Sequence, residues 1–245
     1  MSIAAVVVLH EVGPELERCL ASLRPQVEEL VVVANLSRPK APDGVRVIEN
    51  ERPAGFAANA NRGIAETCAP FVVVANPDTE AARDAVALLN EFAESRPRAG
   101  IVCPQLLNPD GTYQPARRRF PTVSGTLVRR TPLRKVVNPD YHYYDDRPEQ
   151  PTQADWMLGA FLLLRREMLE ELGGFDEGYR LYGEDIDLAY RAARAGWERW
   201  YLPSARVVHV HARVSDKRFL TRHTLWHWRG IARFVRKHPE RLRAL

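Results

Sequence analysis

The chain has 245 residues, 45% of them hydrophobic and 27% charged, which is typical of a soluble globular protein with room for one α/β domain. No apolar run approaches the ~20 residues of a membrane-spanning helix, and three scattered cysteines argue against a disulfide framework or a cysteine metal site. The net charge of +4 is uneven, because residues 213–245 hold ten basic and two acidic residues and the remainder carries a charge of −4.

The first hundred residues alternate apolar strands with amphipathic helices. Strands are predicted at Ile3–Leu9, Leu30–Ala34, Val45–Ile48, Phe71–Ala75 and Ile101–Cys103. Helical spacing of apolar residues predicts helices over Leu16–Leu23, Ala57–Thr67 and Ala85–Phe92. This alternation predicts a mostly parallel sheet with right-handed crossovers. Ligands of such sheets bind beyond the carboxyl ends of the strands.

Residues 104–153 interrupt this pattern with Pro, Asn, Asp, Arg and Tyr, and we expect residues 112–150 to form a flexible, acceptor-side flap. Regular elements resume afterwards at Trp156, Phe161–Leu164, Arg166–Leu172, an acidic helix, Trp200–Leu202 and Val207–Val210. We find no internal repeat and no linker. The expected organisation is therefore one domain over residues 1–212, with a nucleotide-binding half (1–103) and an acceptor half (104–212), followed by a basic tail (213–245).

The basic tail mixes Arg with Trp226, Trp228 and Phe234, as helices at a membrane surface do. The alternative is a C-terminal helix that packs on the domain by its aromatic face. Nucleic-acid binding would use similar charge, but the tail has no reading-helix or zinc-finger pattern. The opening strand lacks the basic region and cleavage site of a signal peptide, and the cysteine usage fits a reducing compartment. We therefore expect a cytoplasmic protein with a peripheral membrane contact.

An acidic cluster follows a loop rich in glycine and aromatic residues and begins a helix. Glu184, Asp185 and Asp187 all fall in the first turn of that helix, where the helix dipole favours negative charge. An ionised carboxylate beside an open loop can serve as a general base. The alternative is ordinary helix electrostatics, with Asp187 and Arg191 as an i, i+4 pair.

A second acidic motif, Asn76-Pro77-Asp78, comes directly after an apolar strand. A carboxylate at a strand end can hold a hard divalent cation such as Mg²⁺ or Mn²⁺ together with substrate phosphates. The alternative is a plain turn and helix cap. The glycine-rich motifs of dehydrogenases and of P-loop enzymes are both absent, as are a serine nucleophile elbow and the H-E-x-x-H zinc motif.

Taken in order, these pieces resemble the inverting family 2 glycosyltransferases, and within them the rhamnosyltransferase-type branch that elongates bacterial cell-surface glycans. The resemblance covers residues 3 to 215. The matching pieces are the opening strand and helix, Val33-Ala34-Asn35-Leu36-Ser37, Gly55-Phe56-Ala57-Ala58-Asn59-Ala60-Asn61-Arg62-Gly63, Asn76-Pro77-Asp78, Trp156-x-x-Gly159-Ala160, Gly173-Gly174-Phe175-Asp176-Glu177, Tyr182-Gly183-Glu184-Asp185-Ile186-Asp187-Leu188, Ala195-Gly196-Trp197 and His209. It implies the α/β GT-A fold, Rossmann-like and in one domain.

The resemblance also implies roles for single residues. Asp78 matches a metal ligand for Mg²⁺ or Mn²⁺, and Asn76 stands for the first aspartate of the family's Asp-x-Asp motif, facing the ribose or the metal. Asp185 matches the catalytic base, and Glu184 helps position the acceptor or the base. His209 matches a histidine that completes the metal site or binds the diphosphate.

The implied nucleotide-sugar site includes residues from each matching piece: Leu9, His10, Ala34, Asn35, Gly55, Asn61, Asn76, Asp78, Trp156, Gly159 and Ala160. Four basic residues are expected at the diphosphate or the acceptor: Arg118, Arg213, Lys217 and Arg218. Ala34 replaces an aspartate that commonly meets the base, and Leu9-His10 replaces Tyr-Asn. Because both departures fall on the base pocket, the donor is left open among dTDP-, UDP- and GDP-sugars.

The implied reaction is metal-assisted transfer of a sugar, rhamnose being one candidate, to a hydroxyl of a glycan or of a polyprenyl-diphosphate-linked acceptor. One displacement inverts the anomeric centre, unlike hydrolysis by two carboxylates that flank a glycosidic bond. Two alternatives remain. One is a non-catalytic nucleotide- or carbohydrate-binding protein of the same fold, and the other is a sugar nucleotidyltransferase, whose glycine-rich N-terminal loop with a basic residue is missing here.

Overall fold

A computed structural model describes residues 2–36, 39–120, 144, 146–210 and 222–240. The strands are β1 (Ile3–Leu9), β2 (Glu29–Ala34), β3 (Arg46–Glu49), β4 (Phe71–Ala75), β5 (Thr79–Ala81), β6 (Ala99–Leu107), β7 (Tyr113–Gln114), β8 (Arg117–Arg118), β9 (Thr152–Gln153), β10 (Trp156–Met157), β11 (Phe161–Arg165) and β12 (Glu198–His209). The α-helices are α1 (Glu15–Leu23), α2 (Phe56–Ala65), α3 (Ala85–Glu94), α4 (Arg166–Leu172), α5 (Glu184–Arg194) and α6 (Arg222–Lys237), and a short 3₁₀ turn covers Arg24–Gln26.

The central sheet has the strand order β3-β2-β1-β4-β11-β6-β12-β5, with β7 added beside β6 and β9 beside β12. Four of the seven pairings along this order are parallel. The sequence correctly predicted an α/β domain with a mostly parallel sheet. It did not reveal that β11 lies antiparallel between β4 and β6 and makes the sheet a mixed one. The architecture is that of the GT-A fold.

The core is centred on β1 and β4, all of whose residues are buried. Their continuous apolar sequences are typical of strands covered on both faces. Helix α2 packs on β1 and β2 through small residues. Gly63 is required in this helix because a side chain there would clash with Val6 of β1. The short distance between helix and strand holds the N-terminus of α2 beside the carboxyl ends of the strands.

The predicted elements of residues 3–103 are confirmed to within a few residues, and the structure adds three corrections, one of them within these residues. Strand β6 continues to Leu107, so residues 104–107 are not irregular. Thr79–Ala81 forms an unpredicted strand that pairs antiparallel with the end of β12. The two strands predicted near residues 200 and 207 are one strand, β12, in which the stretch around Pro203 is a bulge in the pairing with β6.

Part of the segment predicted as a flap is regular. Strands β7 and β8 lie in it, and β8 pairs with β10 in a separate two-stranded sheet. Residues 121–143 and 145 lie outside the described residues, as do 211–221. The predicted phosphate contacts Arg213, Lys217 and Arg218 therefore receive no structural account.

The last helix, α6, packs on α5. Phe234 of α6 is buried, and its ring meets that of Tyr190 edge-on at 5.6 Å between centroids. Phe234 is therefore not available as a membrane anchor, whereas Trp226 and Trp228 are half-buried. Within the described ranges, no helix is both long and apolar enough to cross a bilayer.

Candidate active site

The predicted site residues meet at one edge of the sheet. The parallel strands β1, β2 and β4 end there, and each is followed by a polar residue: His10, Asn35 and Asn76. Strand β11 runs the other way, so the residues just before it, Gly159 and Ala160, lie at the same edge. The carbonyl of Ala160 accepts a hydrogen bond of 2.8 Å from the backbone N–H of Asn76.

The side chain of Asn35 organises the end of the site where the base was predicted. It is buried, and its Nδ2 lies 2.9 Å from His10 Nδ1 and 3.0 Å from the carbonyl of Ala54. Its Oδ1 accepts from the backbone N–H of Ala54 at 2.7 Å and from Asn50 Nδ2 at 3.0 Å. Leu9 and Ala34 are buried, so their side chains offer little to a ligand.

A polar cleft of about 300 Å³ opens beside Asn35. It is lined by Ala34, Asn35, Leu36, Glu49, Asn50, Glu51 and Pro53. Asn50 connects the cleft to α2, because it donates to Asn59 Oδ1 at 2.5 Å and accepts from Arg62. Sequence reasoning did not identify Asn50, which lies in a loop without a motif.

The end of β12 brings His209 to the second acidic motif. His209 Nε2 lies 3.5 Å from Asp78 Oδ1. The backbone connects the same two segments, since Val210 N–H donates to the carbonyl of Asp78 at 2.8 Å. On the other side of the ring, His209 Nδ1 lies 2.7 Å from Gln114 Oε1. An amide oxygen accepts a proton from Nδ1, which leaves the lone pair of a neutral ring on Nε2, facing Asp78.

Asp78 and His209 have the chemistry of ligands for a divalent cation. The tautomer set by Gln114 is the one in which Nε2 can bind a metal, and such an outer hydrogen bond is typical of metal-binding histidines. Among the residues the structure covers, no group of three or more His, Cys, Asp or Glu side chains forms a metal cluster. Mg²⁺ sites commonly use one or two protein carboxylates and complete the shell with substrate phosphates and water. Asp78 supplies such a carboxylate, and His209 adds a nitrogen ligand beside it.

The acidic pair Glu184–Asp185 begins α5, next to the Gly159–Ala160 segment. Asp185 Oδ2 accepts from the backbone N–H of Gly159 at 3.2 Å, and Oδ1 accepts from the N–H of Ile186 at 2.9 Å. Burial raises the pKa of Asp185 above its ordinary value, while these two hydrogen bonds and the positive charge of Arg118 act in the opposite direction. The carboxylate is therefore a stronger base than an exposed aspartate.

Glu184 lies deeper than its neighbour. Burial and the adjacent charge of Asp185 raise the pKa of Glu184 to about 8. Within the described part of the chain its Oε2 has no hydrogen-bond partner. At neutral pH one carboxyl group of the pair is therefore protonated and the other ionised, as in other paired carboxylates.

Arg118 and Trp156 face each other in the small sheet. They pair across β8 and β10, and β10 packs against α5. Arg118 Nη1 donates to the carbonyls of Pro115 and Arg117 at 2.7 and 2.8 Å, and its charge acts on Asp185. Trp156 Nε1 donates to the carbonyl of Arg119 at 2.9 Å.

Two predicted ligand contacts, Gly55 and Asn61, have internal partners. A side chain at Gly55 would come within 2.8 Å of the carbonyl oxygen of Arg180. Asn61 binds both backbone groups of Phe175, through Nδ2 at 2.8 Å and Oδ1 at 2.9 Å. Both residues hold the 173–183 loop against α2, and their roles toward a ligand stay predictions.

Comparisons with known proteins agree on one family. Residues 14–226 match the model of the family described as "Glycosyltransferase like family 2". An N-acetylglucosaminyl-diphospho-decaprenol L-rhamnosyltransferase of Mycobacterium tuberculosis is 32% identical over 241 residues, covering 86% of this chain and 77% of that protein. The rhamnosyltransferase WbbL of Escherichia coli K12 is 28% identical over 190 residues, covering 74% of this chain and 70% of the relative.

Solved structures share the fold. GalNAc-T7, crystallised with UDP, GalNAc and Mn²⁺, superposes with a TM-score of 0.72 at 21% identity over 96% of this chain. The mannosyltransferase PcManGT of Pyrobaculum calidifontis, in complex with GDP-Man and Mn²⁺, gives a TM-score of 0.61 at 18% identity over 96% of this chain. This chain spans 48% of the first protein and 64% of the second, less than two thirds of each.

Proposed function

We propose a specific reaction for this chain, which belongs to glycosyltransferase family 2 and is a sugar-transferring enzyme of the rhamnosyltransferase type. In the proposed reaction a sugar, rhamnose first among the candidates, leaves a nucleoside diphosphate and joins a hydroxyl of a lipid-linked glycan with inversion. The observation that carries the proposal is the Gly159–Ala160 segment. The backbone N–H of Gly159 donates to Asp185 of the base motif, and the carbonyl of Ala160 accepts from the backbone N–H of Asn76 of the metal motif.

Asp78 and His209 are the residues we assign to a divalent cation, Mg²⁺ or Mn²⁺. When bound, such an ion stabilises the negative charge that develops on the departing diphosphate. The tautomer of His209 and its 3.5 Å distance from Asp78 support the assignment. Asn76, next to Asp78, is assigned to the ribose or the metal. Arg118, together with Arg213, Lys217 and Arg218 in the undescribed segment, is assigned to the diphosphate or to a phosphate of the acceptor.

Asp185 is the proposed general base. Its carboxylate removes the proton of the acceptor hydroxyl while the oxygen attacks the anomeric carbon. The bond from that carbon to the diphosphate oxygen breaks on the opposite face, so one displacement inverts the centre without a covalent enzyme intermediate. A raised pKa suits this role, because a base works best when its pKa approaches the working pH. Glu184, protonated at neutral pH, is assigned to hold the acceptor or the base.

The cleft beside Asn35 is the proposed pocket for the nucleotide base. Ala34 brings no carboxylate to this pocket, and the polar groups that line it come instead from Asn35, Asn50 and Glu49. Amide side chains offer both donors and acceptors, as the edge of a uracil or thymine requires. The edge of a guanine requires both as well, so the donor is chosen among UDP-, dTDP- and GDP-linked sugars by the assay below.

The proposed acceptor carries a polyprenyl diphosphate, in keeping with the acceptor that the name of the M. tuberculosis relative specifies. An acceptor of this kind lies in a membrane, so the enzyme must work at its surface. The basic tail supports a peripheral contact with the cytoplasmic face, since Lys and Arg residues attract anionic lipid. The segment 112–150, which contains Arg118, is the proposed acceptor-side flap.

The decisive experiment is a transfer assay with purified protein. It combines dTDP-rhamnose, UDP-sugars or GDP-sugars with a short-chain polyprenyl-diphosphate N-acetylglucosamine, in Mg²⁺, Mn²⁺ or EDTA, and detects the product by mass spectrometry. Removing a general base lowers the rate by about 10²–10⁴-fold. We therefore expect Asp185→Asn to lose turnover to that extent while it still binds the nucleotide in calorimetry.

Asp84→Asn is the matched control, because Asp84 is an exposed aspartate at the N-terminus of another helix, α3. It should retain full activity. Retention of activity by Asp185→Asn would refute the assignment of the base. Nucleotide binding without turnover on any acceptor would favour a non-catalytic binding protein, and release of diphosphate from a nucleoside triphosphate and a sugar phosphate would identify a nucleotidyltransferase.

A further inference from the structure

The end of helix α6 and the residue after it supply half of the partners of a buried carboxylate in the catalytic helix. Asp187, two residues after Asp185, is fully buried. Its four partners are Tyr179 Oη at 3.3 Å, Arg191 Nε at 2.7 Å, Lys237 Nζ at 2.9 Å and His238 Nε2 at 2.8 Å. Burial acts to raise the pKa of Asp187, but the hydrogen bonds from His238, Arg191 and Lys237 lower it below its ordinary value. Asp187 is therefore an ionised group that depends on α6.

Two cations of α6 also hold the loop that precedes the catalytic helix. Asp176 accepts from Arg233 Nη2 at 2.7 Å and from Lys237 Nζ at 2.7 Å. Lys237 thus bridges Asp176 in the loop and Asp187 in α5. Burial acts to raise the pKa of Asp176, yet the bonds from Arg233 and Lys237 hold it well below its usual range. An ammonium that bridges two carboxylates restrains the distance between them, although a third of the Lys237 side chain is exposed.

The backbone between these carboxylates is unusual just before Glu184. Tyr182 has a φ of +70°, the only positive value at a non-glycine position in the described ranges, and Gly183 has a φ of +102°. Left-handed conformations at residues with a side chain persist only when their surroundings enforce them. One contact with Tyr182 comes from α6, where a side chain at Gly230 would clash with the Tyr182 carbonyl oxygen.

These contacts lie outside the segment that defines the family. The family match ends at residue 226, whereas Gly230, Arg233, Lys237 and His238 follow it. The first turn of α5, which carries Glu184 and Asp185, is therefore held on one side by the Gly159 N–H and on the other by residues of α6 that follow the matched region.

We propose that α6 positions the catalytic carboxylates. Lys237 and His238 bind Asp187, and Gly230 lets the helix pack closely on Tyr182. These contacts fix the strained turn before α5 and thereby orient Asp185 toward the acceptor. This inference rests on the proposed role of Asp185. It makes Lys237, His238 and Gly230 positioning residues that touch neither donor nor acceptor.

The first test compares two neighbouring cations of α6. Lys237→Met removes the bridge between Asp176 and Asp187, and Arg236→Met removes an equal charge from an exposed position of the same helix. The assay uses a detergent-solubilised short-chain acceptor, so that attraction to a membrane plays no part. Small displacements of a reacting group cost up to about 100-fold in rate. We therefore expect Lys237→Met to lower kcat by about 10- to 100-fold. Arg236→Met should keep the wild-type kcat, and Lys237→Arg, which retains the positive charge, should restore most of it.

The second test leaves all charges in place. Gly230→Ala should stabilise α6 through helix propensity if the site has room for a methyl group. The site has no such room, because the added methyl group would meet the Tyr182 carbonyl oxygen. We therefore expect Gly230→Ala to lower kcat by displacing Tyr182. The dissociation constant for the nucleoside diphosphate, measured by calorimetry, should stay unchanged because the donor site is not displaced. Thermal unfolding and circular dichroism of each variant establish the fraction of folded protein.

The outcomes separate the two proposals. If Lys237→Met and Gly230→Ala keep wild-type kcat while Asp185→Asn is inactive, the positioning role is wrong and the proposed function stands. If Asp185→Asn is active, the proposed function itself fails. If kcat and nucleotide affinity fall together, in proportion to the loss of folded protein, α6 serves stability alone and the inference is overturned.

Discussion

The backbone N–H of Gly159 points at the carboxylate of Asp185 and lies 3.2 Å from its Oδ2. A side chain at position 159 would come within 3.3 Å of Asp185 Cβ. Glycine at this position therefore both donates a hydrogen bond and leaves room for the aspartate. The relationship explains why a glycine precedes β11 at the edge of the sheet where the acidic helix begins.

Gly159→Ala should accordingly impair chemistry more than binding. The added methyl group forces Asp185 to move by a few tenths of an ångström, and misplacement of a catalytic group by ~1 Å costs up to 10²-fold in rate. We expect kcat to fall by about tenfold on that scale, with the donor dissociation constant unchanged. Steady-state kinetics and calorimetry provide the two measurements.

The control for this substitution is Gly111→Ala. No heavy atom lies within 4 Å of the added methyl group at Gly111, so only its own backbone strain is tested. Wild-type kcat in Gly159→Ala, or an equal loss in Gly111→Ala, would show that space at Gly159 does not matter to the base.

Gln114 should control metal affinity although it touches no metal itself. Its Oε1 fixes the tautomer of His209, and loss of such an outer partner typically lowers metal affinity by about 10–100-fold. We expect Gln114→Leu to weaken the Mn²⁺-dependent part of nucleoside diphosphate binding to that extent, and Asp78→Ala to abolish it. Titration calorimetry in Mn²⁺ and in EDTA measures this part directly.

Gln153→Leu changes an exposed glutamine of β9 and serves as the control. It should bind the nucleotide like the wild type. Equal affinity of the unmutated protein in Mn²⁺ and in EDTA would contradict the metal assignment altogether.

The sequence was most informative where function depends on short contiguous motifs. Asn76-Pro77-Asp78 and Glu184-Asp185 were identified because a strand end or a helix start is visible in local periodicity, and the parallel strands bring such ends together. The amphipathic stripe of α1 and the buried strands β1 and β4 were predictable for the same reason.

Residues whose partners are distant in sequence could not be found in this way. Gln114 meets His209 across 95 positions, and Lys237 meets Asp187 across 50. Nothing in the local sequence of either residue indicates its partner. The antiparallel insertion of β11 was equally hidden, because its apolar sequence is the same as that of a parallel strand.

Glu184 should make stability depend on pH in a defined direction. Its pKa rises from 4.5, the ordinary value, to about 8 in the folded protein. Between these values the folded state holds a proton that the unfolded state has lost, so the free energy of unfolding falls as pH rises, by at most about 1.4 kcal/mol per pH unit. This destabilisation is absent below pH 4.5 and complete above pH 8.

Glu184→Gln removes that titration and keeps the shape of the protonated side chain. We expect its advantage in stability over the wild type to grow from pH 4.5 to pH 8 and then to level off, as measured by urea unfolding at a series of pH values. Glu149→Gln, at an exposed position, should show no such trend. A difference independent of pH for Glu184→Gln would mean that the carboxyl group is ionised in the folded protein.

The tail should bind anionic membranes through cations that the fold does not use. Arg233 and Lys237 already pair with Asp176, whereas Arg229 and Arg236 of the same helix are exposed. Each Lys or Arg near an anionic surface contributes roughly 1 kcal/mol. Because Phe234 is buried against Tyr190 and the guanidinium of Arg180 lies over the Trp226 ring, anchoring within the bilayer interface falls to Trp228.

Flotation with phosphatidylglycerol vesicles tests this prediction. We expect binding at low salt that weakens at physiological ionic strength, since salt screens exposed charges. The exposed Arg229 is the residue to change: Arg229→Ala should weaken binding by about fivefold, equivalent to the ~1 kcal/mol per cation. Arg83→Ala removes an exposed arginine outside the tail and should leave flotation unchanged. If the protein stays in the soluble fraction at both salt concentrations, the prediction of membrane binding by the tail is wrong. Helix α6 then acts only within the protein, by packing on α5.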